Sequence, residues 1–402
     1  MTRPILLIAR DYPRMVGGIA RYIGRLFSSV PPEDLVVIRH LEPEMSDSER
    51  GQRFRVIHTG RYSAFLRTGK LAILPLIVST VRHVAGERRY RLIVAEQIQT
   101  AIPALIAARL LGARLIIFAY GMEITTSRWW RVKGWVFRQA DQVVTISSYS
   151  RTLLERLGVS SKRIATIPPS VDAEPFSDAL QISKRQARAR LGISADARVL
   201  LSVAVLKQQY KGIDTTIRAA SLLRKQYPGL QYLVIGAGPD RPRLEGIALE
   251  LGLDGLVKFL GSVDEATKGL CYAACDLFVL PNRVEYSRGG ERSEGFGIVF
   301  LEAALFGRPS IGGQGGSLDA VLHGETGLSV LGTSVEEVAG AAARLLDDPQ
   351  LREQLSEAGR RRASFDFSTE RAAARFHEEC IRSLCGSGES REESIAGASG
   401  GE

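Results

Sequence analysis

SEGFGIVFLEAALFG, residues 293–307, is the stretch from which the rest of the chain can be read. It holds two glutamates, Glu294 and Glu302, with seven residues between them, and from Ile298 to Phe306 the one polar side chain is Glu302. A solvated helix face would carry several polar groups. A single carboxylate in so apolar a run implies burial, and a buried carboxylate needs hydrogen-bond donors. Glu294, Gly295 and Gly297 read as a loop, followed by a helix from near Gly297 to Phe306 that Gly307 and Pro309 stop.

The start of that helix would present unpaired backbone N–H groups and the positive end of its dipole. A phosphate suits such a terminus, and glycines let it come close. Gly295, Phe296, Gly297, Ile298 and Val299 are therefore candidates for holding a phosphate through the main chain. Glu302, further in, would repel a phosphate but could accept from the two hydroxyls of a ribose, and Glu294 from the hydroxyls of a sugar. Ribose, diphosphate and hexose in one line describe a nucleoside-diphosphate sugar. An ordinary buried helix with one tolerated carboxylate fits the same run, because structural partners also serve a buried charge.

The fragment resembles the E-x7-E motif of retaining glycosyltransferase family 4, and EGFGIVFLEA is close to the wording of its bacterial mannosyltransferase-like, cell-envelope members. The resemblance spans residues 1 to about 375. It implies the GT-B fold, an α/β architecture of two doubly wound Rossmann-like domains facing across a cleft. The implied activity moves a hexosyl group, mannose favoured, from a GDP- or UDP-sugar to a glycan or lipid-linked acceptor, in cell-surface polysaccharide or glycolipid synthesis. Retention of the anomeric configuration comes with it, the departing phosphate taking up the acceptor's proton.

The bulk numbers leave room for that. At 402 residues, with 45% hydrophobic and 24% charged residues, the chain can bury two full cores. A formal net charge of +9 favours anionic partners, whether a phosphorylated ligand, acidic lipid or nucleic acid; the family reading selects the first two and no nucleic acid. Cys271, Cys275, Cys380 and Cys385 make no C-x2-C pattern and read as reduced packing residues. MTRPILLIAR has too short an apolar run for a signal peptide, and Leu71 to Val81, broken by Pro75 and Ser79, is too short to span a bilayer. A cytoplasmic chain, peripheral on the inner face of a membrane, is the expectation.

Short β-branched runs alternate with helical patterns: residues 5–9, 35–38, 55–58, 92–95, 115–119 and 143–147, then 199–205, 232–235, 257–260, 277–280 and 310–311. That alternation is the mark of parallel sheets wrapped by helices. IPPSVDAEPF, residues 167–176, reads as the crossing between the two series. The expected division is an acceptor-side domain at 1–168, a donor domain at 169–384 whose last helix, near 365–384, crosses back, and a disordered tail at 385–402.

Along the chain, Gly17 and Gly18 sit in a strand-to-helix turn and permit close approach by a ligand; a plain tight turn explains them too. In FAYGMEI, residues 118–124, Tyr120 stands where the family often has a histidine near the reacting sugar, with Gly121 and Glu123 kept. Tyrosine can hydrogen-bond a sugar but cannot take up a proton near neutral pH. Lys207 and Lys211 lie between a strand and a helix, where two cations could neutralise a diphosphate leaving group. Lys211-Gly212 matches the family's Lys-Gly, whereas Val205 stands nearest its usual Arg, a place Lys207 would have to fill.

Val263, after VKFLGS, resembles the family's position beside the base, and GGQGGSLDAV resembles its Gly-Gly-x-x-Glu-Ala-Val with Asp319 for Glu. His323 reads as a surface turn residue. Arg283, Arg288 and Arg292 lie in a polar loop that could close over the donor. No D-x-D pair and no histidine cluster exist, so neither a metal clamp nor a cofactor is expected. Glu294, Lys211 and Tyr120 are the catalytic candidates.

Three alternatives stay open at this level. Gly236-Ala-Gly238 hints at a dinucleotide fingerprint, although Arg241 fills the third glycine position. An epimerase could use the same fold. A non-catalytic module binding nucleic acid or membrane could use the basic and aromatic stretches, Arg61, Tyr62, Phe65, Leu66, Arg67 and Lys70 with SRWWRVKGWVFRQ, residues 127–139. Trp129, Val132 and Val136 there fit a core stripe at helical spacing, which is the reading preferred for them because a membrane face needs several such rings exposed together.

Overall fold

Strand β1, Ile5–Ala9, is the pentapeptide ILLIA and is buried at every position, as a strand covered on both faces must be. In the computed structural model, which describes residues 4–10, 12, 18–39, 54–59, 73–87, 89–125, 129–207, 209–287 and 290–385, β1 is an interior strand of a parallel seven-stranded sheet. The others are β2 (Leu35–Arg39), β3 (Arg55–His58), β4 (Leu92–Ala95), β5 (Arg114–Ala119), β6 (Gln142–Thr145) and β7 (Ile164–Thr166), in the order β3-β2-β1-β4-β5-β6-β7. Ile5 pairs with Leu35 on one side and Leu92 on the other, so the strand order reverses direction between β1 and β4.

A second parallel sheet has six strands: β8 (Arg198–Val203), β9 (Leu230–Ile235), β10 (Val257–Gly261), β11 (Leu277–Leu280), β14 (Ser310–Gly312) and β15 (Gly327–Ser329). Their order is β10-β9-β8-β11-β14-β15, with its own reversal between β8 and β11. Such reversal points open crevices at the carboxyl ends of the strands.

The chain divides into two units. The first comprises Met1–Ile146, Ser150–Pro168 and Thr369–Glu402, the second Ser147–Tyr149 and Pro169–Ser368. In the first, helix Thr369–Phe376 packs on helix Gly18–Leu26, and Phe376, wholly buried, meets the rings of Phe27 and Phe118 at 5.1 and 5.6 Å. The Tyr22 hydroxyl of that same helix donates to the Ile167 carbonyl at 2.6 Å. The tail from residue 386 and the stretch 60–72 lie outside the described residues.

Two sequence expectations change here. The polar loop at 282–292 contains an antiparallel ribbon, β12 (Glu285–Ser287) against β13 (Gly290–Arg292), with Glu285 opposite Arg292. Trp129 and Val132 do not join a core stripe: they are 57% and 50% exposed, and only Val136 of the three is buried. Cys271, Cys275, Cys380 and Cys385 are free thiols, and burial pushes those of Cys271 and Cys275 up to about 12.

Candidate functional site

The second sheet's reversal point gathers the residues of interest. Lys211 follows β8, Asn282 follows β11, and the Glu294 loop follows β13. Helix Ile298–Leu305 is capped by Gly297 in the left-handed region, φ 93°, a conformation that favours glycine. It ends at Phe306, with Gly307 beyond it at φ 61°. Among the described residues, the backbone amides of Gly295, Phe296, Gly297, Ile298 and Val299 meet no acceptor. Five consecutive N–H groups thus run into the positive end of a helix, which is the electrostatic form of an anion site.

The loop is held by neighbouring main chain. Gly316 N donates to the Glu294 carbonyl at 2.9 Å and Gln314 N to the Asn282 carbonyl at 2.6 Å, so the Gly-Gly stretch clamps the segment that carries Glu294. The Phe296 side chain is buried against Phe367, ring centroids 5.5 Å apart, which leaves its amide as the part open to a ligand.

The two glutamates have different partners. The Glu294 carboxylate forms an ion pair with the Lys211 ammonium and lies 3.4 Å from the Asn282 Nδ2 donor. Burial opposes the charge on Lys211, but Glu294 and the adjacent Tyr210 outweigh it and hold its pKa above the ordinary lysine value. Its Nζ sits 5.3 Å from the Tyr210 ring centre.

Glu302, only 8% exposed, accepts from the Tyr272 hydroxyl at 2.8 Å and pairs with Lys268 Nζ at 3.1 Å. Burial, and then the Glu302 charge, push the Tyr272 hydroxyl well above its ordinary value, so it remains a donor. The tolerated carboxylate does have structural partners, then, in Lys268 and Tyr272. Sequence reasoning missed both, although their spacing of four puts them on one face of helix Glu265–Ala274.

Other candidates fall in different places. Lys207 is exposed in the turn after β8, and Val205 beside it is 63% exposed. Val263 is half-buried at the exit of β10. Gly17 lies outside the described residues, as does Arg288, while Gly18 opens helix Gly18–Leu26 with nothing within 4 Å of where a Cβ would stand. Arg283 is turned to structural use: it reaches both oxygens of Asp214, at 3.1 and 3.2 Å, and Glu285 at 3.2 Å.

The Tyr120 hydroxyl donates to the Glu96 carbonyl at 2.7 Å, and its ring packs on Phe118 and Tyr22. Glu96 itself, fully buried at the exit of β4, accepts from the amides of Arg10 and Tyr12 at 2.5 and 2.8 Å and so fixes the chain leaving β1. Nothing in the sequence reading pointed to it. Burial raises the pKa of Glu123, against hydrogen bonds from nearby backbone amides.

The dinucleotide hint has a different cause. A Cβ at Gly238 would stand 2.2 Å from the Leu206 carbonyl and one at Gly236 1.8 Å from that of Ala204. These glycines admit the chain's own β8 exit, with Leu206 N donating to the Ala237 carbonyl at 3.0 Å.

Removing the Tyr272 hydroxyl tests the second glutamate's setting. Tyr272→Phe is expected to raise the donor KM roughly fivefold, the value of one hydrogen bond of about 1 kcal/mol, with kcat nearly unchanged. Initial rates over a donor concentration series measure it.

Comparisons with known proteins agree with the two-sheet fold. Residues 183–362 match the family described as Glycosyl transferases group 1, and residues 17–170 match the Glycosyl transferase 4-like domain. The chain is 32% identical over 377 residues to the GDP-mannose-dependent alpha-(1-6)-phosphatidylinositol monomannoside mannosyltransferase of Mycobacterium tuberculosis, covering 89% of this chain and 92% of that one. It is 27% identical over 378 residues to the GDP-mannose-dependent monoacylated alpha-(1-6)-phosphatidylinositol monomannoside mannosyltransferase of Corynebacterium glutamicum, covering 92% and 95%. In structure it is similar to Anabaena Alr3699/HepE, crystallised with UDP and glucose, at a TM-score of 0.73 and 20% identity over 94% of this chain and 98% of that one. With two family matches in sequence order, a relative above 30% identity along nearly its whole length, and two parallel sheets of the GT-B kind, the chain belongs to the family 4 glycosyltransferases.

Proposed function

We propose that this glycosyltransferase moves mannose, with retention, from GDP-mannose to a lipid-linked acceptor presented at a membrane surface. The observation that carries the donor half is the row of unpaired amides at 295–299, flanked by Glu294 on Lys211 and by Glu302 on Lys268 and Tyr272. Mannose, guanine and the lipid-linked acceptor are supported by likeness to the relatives from Mycobacterium tuberculosis and Corynebacterium glutamicum.

In this reading the diphosphate lies against the amides of 295–299, with the Lys211 ammonium beside it and exposed Lys207 nearby in sequence. Glu302 accepts from the ribose hydroxyls, Val263 borders the base, and Glu294 accepts from the hydroxyls of the transferred sugar. As the bond from the anomeric carbon to the diphosphate oxygen breaks, negative charge collects on the leaving group. Fixed donors and a cation already aimed there lower the barrier without reorganising. The acceptor oxygen bonds to the anomeric carbon on the same face, and its proton passes to the departing phosphate oxygen.

A thermal-shift screen tests the donor. GDP-mannose is expected to raise the melting temperature more than UDP-glucose, UDP-galactose or GDP-glucose at equal concentration, as tighter binding to the native state requires. A larger shift with a UDP-sugar would replace the base, and no shift with any of them would remove the donor site.

A further inference from the structure

We infer that Asn282 is a positioning residue of the donor site: its side-chain amide, together with Lys211, holds one oxygen of the Glu294 carboxylate and so turns the other toward the transferred sugar. This rests on Glu294 accepting from the sugar's hydroxyls, as proposed above, and adds the group that decides which of its oxygens accepts.

The main chain aims the amide. Asn282 lies two residues past β11 and is wholly buried. Its carbonyl accepts from Gln314 N at 2.6 Å, and the next amide, Arg283 N, donates at 2.8 Å to the carbonyl of Tyr210, the residue before Lys211. Glycines let the neighbouring strand exits close on it. A Cβ at Gly313 would stand 1.8 Å from the Asn282 carbonyl oxygen, and one at Gly212 2.2 Å from that of Pro281. The Asn282 side chain therefore leaves from a point that cannot slide without disturbing the exits of β8 and β14.

Two donors meet on one oxygen. Asn282 Nδ2 lies 3.4 Å from Glu294 Oε2, the same atom that pairs with Lys211 Nζ. Among the described residues no group donates to Glu294 Oε1. A carboxylate accepts at both oxygens, and its terminal torsion is broad, so a lysine alone would let the two exchange places. A second, neutral donor fixed on Oε2 favours one orientation and leaves the lone pairs of Oε1 for a hydroxyl of the sugar. At 3.4 Å the contact is long for an N–H···O bond, so it sets direction more than it stabilises. Contacts of this kind tighten when substrate binds.

The other end of the amide carries a cost that packing alone does not explain. Asn282 Oδ1 is buried and meets no donor. A buried acceptor left without a donor weakens the fold, and an apolar side chain of the same size would fill the space without that penalty. Turning the amide over would bring Oδ1 against the Glu294 carboxylate, oxygen against oxygen. Among the described residues Glu294 is the one partner of this side chain.

The charges around it are few. Glu294 and Lys211 face the amide, and the Tyr210 phenol, which burial keeps protonated, lies beside Lys211. The Arg283 side chain, next along the chain, is taken up by Asp214 and Glu285. Segments 312–316 and 330–332, which follow β14 and β15, contain no charged residue.

Asn282→Asp tests the role because it keeps the shape and replaces the donor by a group that donates only while protonated. Buried beside Glu294, the introduced carboxyl holds its proton to higher pH than an ordinary aspartic acid, with Lys211 opposing. GDP release from saturating GDP-mannose is followed for the native protein and the variant from about pH 5.5 to about pH 8. The variant-to-native ratio of kcat is expected to fall about tenfold as pH rises across that range, because ionisation removes the donor and sets a second negative charge beside Oε2. GDP carries no sugar to meet Glu294, so the rise in melting temperature it produces is expected to be equal in both proteins. A ratio that is low but constant with pH overturns the inference, since a packing defect has no cause to follow a proton. Asn282→Ala is expected to lower kcat about five- to tenfold, yet to cost less than about twofold in a Glu294→Gln background, where the orientation it enforces no longer matters. Losses that multiply overturn the inference whether or not Asn282→Asp folds. Absence of GDP-mannose turnover in the native protein overturns the proposed role of Glu294 and this inference with it, whereas native turnover with a constant ratio overturns the inference alone.

Discussion

Lys211→Ala is expected to lower kcat by about 10²- to 10³-fold, the usual cost of removing one preorganised group aimed at developing charge. Lys211 is held by an ion pair to Glu294 and by the Tyr210 ring, and its raised pKa keeps it cationic throughout the range in which the enzyme would be assayed. In the proposed site the cation therefore needs no rearrangement before the diphosphate leaves. Glu294→Gln should be comparably damaging, since the amide neither balances Lys211 nor accepts as strongly from a sugar hydroxyl. Because the two side chains act as one unit, the double variant should lose little beyond the worse single one. Steady-state release of nucleotide measures all three, and circular dichroism confirms that they fold. Losses that simply multiply would mean that the pair does not work together.

Asp276→Asn is expected to destabilise the second unit by about 3–5 kcal/mol, the cost of breaking a buried ion pair from one side. Asp276 sits at the start of β11 and accepts from Arg188 Nη2 at 2.7 Å, Lys184 Nζ at 2.8 Å and the Val199 amide at 2.8 Å. The Arg188 side chain is 5% exposed and would be left with its charge uncompensated. The exposed pair of Arg382 with Glu378 makes the contrast, since breaking it should change nothing measurable.

The pH dependence follows from the same group. Burial works against the Asp276 charge, but Lys184, Arg188 and the Val199 amide prevail and hold its pKa below the ordinary 3.8. A depressed folded value contributes stability that is complete above the unfolded value and disappears as pH falls through the folded one. Urea unfolding midpoints should therefore fall for the native protein as pH drops below about 4, with a flatter slope for Asp276→Asn.

What could be read from the sequence was local. The helix at 298–305, its glycine boundaries and the buried state of Glu302 follow from one lone carboxylate in an apolar run, and the structure has them within a residue or two. The positions of most strands followed from alternation, whereas β7 and β15, three residues each, were missed, and the order in which the strands pair within each sheet was not read at all. Long-range pairing was not legible. Tyr272 is 30 residues from Glu302 and Glu96 is 84 from Tyr12, and no spacing rule connects them.

Composition misled in two places. Arginine and glycine in 282–292 read as a loop where a ribbon forms, because backbone pairing does not require β-branched side chains. Helical spacing suggested that Trp129 and Val132 were core, but periodicity marks a shared face without saying which way that face looks.

The most direct test is a crystal structure of the protein grown with GDP. The phosphate oxygens are expected about 3 Å from the backbone nitrogens between Gly295 and Val299, with Lys211 Nζ against them and the ribose hydroxyls on Glu302. A diphosphate bound elsewhere, with those amides capped by protein and the ribose hydroxyls away from Glu302, would contradict the site described.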